Sequence, residues 1–152
     1  MYAHLENESS LDRFLEGFEA GTLTKAEWTH AAHVTMAACY SLRYSEAEAL
    51  KQARDRIRHL NGCLGTQNTA DSGYHETLTV FWLRLVRGWL GTHARELPRL
   101  EAVRRCVEQF GRSTGIWRDY YTYDVVKCRE ARREWREPDR EVVAVRQLIG
   151  SS

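Results

Sequence analysis

No stretch of this chain approaches the roughly 18 consecutive apolar residues that a bilayer-spanning helix needs, so no membrane segment is expected. An excess of one charge is lacking too. Twenty-two basic residues face 21 acidic ones, and the formal net charge of +1 gives no global field to draw nucleic acid or anionic lipid. Cysteine is sparse and scattered: Cys39, Cys63, Cys106 and Cys128 form no Cys-x-x-Cys pair. That excludes a zinc knuckle or a disulfide scaffold and points to free thiols in a reducing compartment. The amino end carries Glu6 and Glu8 where a secretory signal would carry lysines and an apolar run. These absences lead to the expectation of a cytoplasmic protein with neither membrane nor nucleic acid as partner. There are two prolines in 152 residues and no internal repeat or low-complexity tract, and the 43% apolar and 28% charged composition suits one ordinary globular domain.

What is present is helical periodicity. Leu11, Phe14, Leu15 and Phe18 follow the i, i+3, i+4, i+7 rule from a start at Ser9 or Ser10, and Gly21 is the stop. Leu23, Thr24, Glu27 and Trp28 read as a hydrophobic staple plus capping box for a helix from Trp28 to Leu42. That segment holds no Asp, Glu, Lys or Arg and is apolar nearly all round, as a helix surrounded by neighbours would be. Ser45 with Glu48 opens another helix, ending at Asn61-Gly62. The stretch from Asn61 to Gly73 lacks periodicity and reads as a loop long enough to serve as a lid or pocket wall. Further helices are predicted from Tyr74 to Leu90, from Pro98 to Phe110 with Gly111 as stop, and from Thr122 to Trp135 before Pro138. The tail, Glu141 to Ile149, fits helix or strand. The expected architecture is all-α: one domain over 1–152, a bundle of five to six helices around a buried central helix, with flexible ends over 1–8 and 141–152.

Six histidines divide into two groups. His4, His59 and His93 fall near a terminus, a helix end or a loop, whereas His30, His33 and His75 stand where apolar side chains belong. Three residues apart on a helix, His30 and His33 project about 60° from one another, with Cβ atoms roughly 5–6 Å apart. Burial favours neutral imidazole, the form that offers a lone pair to a metal or a substrate proton. His75 begins a different helix and is placed to close the group across a crevice. The plainer alternative is that each ring bonds a carbonyl inside the core. Glu27 has an obvious capping role, which counts against reading Glu27-x-x-His30 as half of a di-iron ligand set. Glu76 suits either a first-turn acid or a general base.

The strings Trp28-Thr29-His30-Ala31-Ala32-His33, Gly73-Tyr74-His75-Glu76-Thr77 and Ala131-Arg132 through Pro138-Asp139, with Asn61 and Asn68 in the loop and the pair Tyr120-Tyr121, resemble those of an uncharacterised family of small bacterial all-helical proteins. The resemblance names no reaction. It implies that His30, His33, His75, Glu76 and Arg132 belong to one shared polar feature.

Three functions follow as expectations. The first is an enzyme acting on a small molecule, with a divalent zinc, iron, nickel or copper ion on His30, His33 and His75 and with Glu76 as base. The second drops the metal and lets a neutral histidine act with Glu76, Tyr121 and Arg132 as an acid–base isomerase, lyase or cyclase. The third is a module that binds a small ligand without turnover. In each, Trp28, Asn61, Asn68 and Tyr74 are the expected substrate contacts.

Overall fold

The computed structural model describes residues 2–140, and within them the protein is all-helical, with no strand. Six α-helices follow in order: α1 (Glu8–Ala20), α2 (His30–Arg43), α3 (Glu46–Cys63), α4 (Glu76–His93), α5 (Arg99–Phe110) and the short α6 (Arg129–Arg133). Single 3-10 turns lie at Ala3–Leu5, Ile116–Asp119 and Val125–Lys127. No helix among the described residues is long and apolar enough to cross a membrane.

Helix α2 is central and packs against α3, α4 and α5. Its alanines explain the close approach: Ala31, Ala32, Ala37 and Ala38 are all buried, so neighbouring backbones come near without a side chain between them. Tyr40, Val34, Phe18 and Leu11 are almost wholly buried in the same core, each contributing about 1.5–3 kcal/mol of apolar burial. A second, smaller cluster gathers Phe81, Trp117, Tyr120, Tyr121, Val125 and Ala131 on the other side of α4.

The local signals act where the chain obeys them. Ser45 accepts from the Glu48 amide at 3.2 Å and starts α3, and Gly21, at φ 76°, ends α1. Helix α1 begins two residues earlier than Ser10, because the Asn7 side chain takes the Ser10 amide at 2.8 Å. The capping box of Thr24 and Glu27 also forms: the Thr24 amide donates to Glu27 Oε1 at 2.9 Å and the Glu27 amide to Thr24 Oγ1 at 3.2 Å. It closes one turn only. The chain bends again, and Thr29, accepting from the Ala32 amide at 3.2 Å, caps α2.

Two expectations need correction. Helix α3 continues through Asn61 to Cys63, so the loop is shorter than its composition suggests. The helix expected over Thr122 to Trp135 shrinks to α6, because Asp124 turns back onto the amides of Val126 and Lys127 and the Tyr120 carbonyl holds the amides of Asp139 and Arg140. The amino end packs on the bundle: Leu5 is buried, His4 Nε2 lies 2.8 Å from Thr35 Oγ1, and Arg104 donates to the carbonyls of Leu5 and Glu6. The tail over 141–149 lies outside the described residues. The four cysteines are free, and burial pushes the thiols of Cys39 and Cys106 up to about 12.

Candidate functional site

Each of the three core histidines is placed by a helix end. Thr29 caps α2, which sets His30 at its first position and His33 one turn on. His33 folds back so that Nδ1–H donates to the Thr29 carbonyl at 2.8 Å. His30 reaches across to α5, where Nε2–H donates at 3.0 Å to the carbonyl of Phe110, one of the last-turn carbonyls that the helix itself cannot satisfy. His75 is the N-cap of α4: Nδ1 accepts the Leu78 amide at 3.1 Å and Nε2–H donates to the Val125 carbonyl at 2.8 Å. A carbonyl only accepts, so these bonds fix which nitrogen of each neutral ring carries the proton.

The electrostatics agree. Burial lowers His33 to about 4, against the pull of its Thr29 bond and with help from neighbouring His30. Burial also lowers His30 and His75, against their bonds to Phe110 and Val125. All three are therefore neutral at pH 7. His30 keeps Nδ1 and His33 keeps Nε2 unpaired within the protein, and neither atom is sealed away from solvent. His75 keeps nothing.

The rings share one space. A cavity of about 500 Å³ is lined by His30, His33 and His75, by the aromatic rings of Trp28, Tyr74, Trp82 and Trp117, and by aliphatic residues including Met36 and Leu78. The exposed Thr114 and Val126 stand at its rim. Ring contacts build the wall: Trp28 lies 3.8 Å, centroid to centroid, from His33 and stacks on Phe18 at 5.0 Å, while His30 meets the edge of Trp82 at 4.9 Å. Trp117 and Thr114 were not singled out from the sequence. The Gly115-Ile116-Trp117 string, an aromatic residue in a turn, was the available signal.

Of the sequence-predicted residues, Trp28, His30, His33, Asn61, Tyr74 and His75 line this cavity; Asn68, Glu76, Tyr121 and Arg132 do not. Glu76 is clamped behind it. Arg54 grips both its oxygens, at 3.0 and 2.7 Å, and the Tyr74 hydroxyl donates to Oε1 at 2.6 Å. Burial would raise this carboxyl, but Arg54 and Tyr74 outweigh it and hold the pKa below the ordinary glutamate value. Asn68 staples the loop, taking the Tyr74 amide at 2.9 Å and the Asn61 side chain at 3.0 Å. Arg132 spans two carbonyls, Gly73 at 2.8 Å and Val126 at 3.1 Å. Tyr121 is buried in the second cluster, its hydroxyl donating to the Arg136 carbonyl at 2.7 Å.

The three imidazoles thus share a wall without forming a ligand set. A catalytic zinc centre uses three protein ligands, and at most two free imidazole nitrogens face that task here. Among the described residues no group of three or more His, Cys, Asp or Glu side chains is arranged to hold a metal ion. Compared with models of known protein families, with curated proteins and with solved structures, the chain matches none.

Proposed function

We propose that this protein binds a small, largely apolar molecule carrying a hydroxyl or N–H group, and that it does so without a metal. The observation that carries the proposal is the pair of neutral imidazoles, His30 and His33, each with one committed and one free nitrogen, in the wall of an aromatic cavity. At about 500 Å³ the cavity falls in the range of small-molecule pockets, which are apolar with a few fixed polar groups. Neutral imidazole nitrogens are acceptors, so the ligand supplies the donor. Acid–base chemistry is the weaker reading. A ring with a pKa of about 4 is roughly one part in a thousand protonated at pH 7, whereas efficient proton transfer wants a pKa near the working pH. Glu76, engaged by Arg54 and Tyr74, is no freer to act as base.

Calorimetric titration with 2-naphthol and with naphthalene tests this. Both fill an aromatic slot, but only the naphthol donates. One net hydrogen bond predicts about three- to tenfold tighter binding of the naphthol, and His33→Phe should erase that preference while keeping naphthalene binding. Equal affinities, or no binding of either, would overturn the proposal.

A further inference from the structure

A second concavity of about 730 Å³ lies beyond Tyr74, between the last turns of α3, the 64–75 connection and α6, and its chemistry is different. Arg58, Arg129, Arg132 and Arg133 line it together with Glu130. Arg129 is neutralised by a two-point contact with Asp71, at 2.8 and 2.9 Å. The other three are not neutralised. Arg58 sits 4.8 Å over the Tyr74 ring and pairs with no carboxylate among the described residues. Arg132 spends its N–H groups on two carbonyls, which orient the guanidinium without cancelling its charge. The contact of Arg133 with Glu134 is long, 3.8 Å, and Glu134 Oε1 is held at 2.8 Å by Arg136 instead. Glu130, whose carboxylate takes the Cys128 thiol at 3.5 Å, offsets one of these three charges. Two positive charges remain in the groove, in a chain whose net charge is only +1.

We infer that this groove binds a phosphate monoester. Planar guanidinium forks match phosphate oxygens in pairs, the surplus of two charges matches a dianion better than a carboxylate, and the volume admits an organic substituent. The sequence pattern concealed the site, because Glu130, Glu134 and Glu137 alternate with the arginines and read as a self-neutralised helix face; α6 is in fact five residues long.

Titrating the full chain with glycerol 3-phosphate at low salt, followed by amide NMR and calorimetry, tests the assignment. Saturable binding with shifts centred on 58, 68–70 and 129–133 is expected. Arg58→Gln and Arg133→Gln, both exposed positions, should each weaken it at least about threefold with unchanged melting temperature, since charge-assisted hydrogen bonds are lost. Arg105→Gln, on α5 and outside the groove lining, should have no effect. Acetate binding as tightly as glycerol 3-phosphate would overturn the inference. So would an unaffected Arg58→Gln/Arg133→Gln double variant, or no saturation by about 20 mM ligand. Vesicles of phosphatidic acid carry the same headgroup and separate the two sources: sedimentation with them, without binding of the free ester, would overturn assignment to a soluble ligand.

Discussion

Replacing His75 by alanine should cost far more than deletion of a ligand from a solvent-filled pocket. The ring is 7% exposed and makes two bonds that no alanine can replace. Losing the cap on the Leu78 amide removes about 1 kcal/mol. Losing the bond to the Val125 carbonyl costs about 0.5–1.5 kcal/mol more, the net worth of one hydrogen bond, because the Cys128 amide still donates to that carbonyl at 3.3 Å. The total is about 1.5–2.5 kcal/mol, a drop of about 1 M in the urea midpoint at constant slope. His75→Asn keeps an N-cap acceptor and should recover about 1 kcal/mol of that. Equilibrium urea unfolding followed by far-UV circular dichroism measures all three proteins. A His75→Ala midpoint within about 0.5 kcal/mol of the parent would refute the reasoning, and so would an asparagine variant no better than alanine.

The remaining predictions concern protons, the clamp and metal. His33, His30, His75 and His4 all have folded-state pKa values below the ordinary histidine value, so between about pH 4 and 6.5 the unfolded chain binds more protons. Stability is therefore fully present above about pH 6.5 and falls with acidification, by up to about 1.4 kcal/mol per pH unit through His33 down to about pH 4, with His30, His75 and His4 acting in the same direction; urea midpoints at pH 7, 6 and 5 should decline, and His33→Phe should flatten the decline. Glu76→Gln leaves the Arg54 guanidinium without its counter-charge and should destabilise by about 1–3 kcal/mol in the same urea assay, whereas a cost near zero would show the clamp to be idle. Exhaustive dialysis against a chelator should change neither the melting temperature nor the naphthol affinity; a melting temperature lowered by chelation and restored by zinc would show that a metal stabilises the fold.

Helices were legible wherever their signals were local. The α3 cap at Ser45, the Gly21 stop and the Pro98-to-Gly111 limits of α5 each depend on residues within one turn of the boundary. Legibility failed where two local signals competed or where the partner was distant. Thr24 and Thr29 are both good caps five residues apart, and nothing in the sequence ranks them; both form, and only the second is followed by a helix. The 122–135 segment has helix-forming residues, but Tyr120, Tyr121 and Thr122 bond to 136–140, contacts across more than a dozen residues that periodicity does not register.

The candidate site shows the same division. Spacing alone put His30 and His33 on one face, and both line the cavity. The sequence placed His75 on the apolar stripe of α4, and it stands instead just before that helix as its cap, a position where Ser, Thr, Asp and Asn are the residues normally sought. Its second bond, to Val125, lies fifty residues away and was invisible. Glu76 and Arg132 stand out in the sequence as candidate catalytic residues, but their partners, Arg54 for one and the carbonyls of Gly73 and Val126 for the other, are tertiary and place both outside the cavity lining.

Long-range ¹H–¹⁵N NMR of the imidazoles, with and without 2-naphthol, tests the central claim most directly. At pH 7 His33 should appear as the neutral Nδ1–H form, reach half protonation only near pH 4, and show its Nε2 signal move when naphthol is added. A His33 that titrates near pH 6.5, or Nε2 signals of His33 and Nδ1 signals of His30 that ignore the ligand at saturation, would contradict the account.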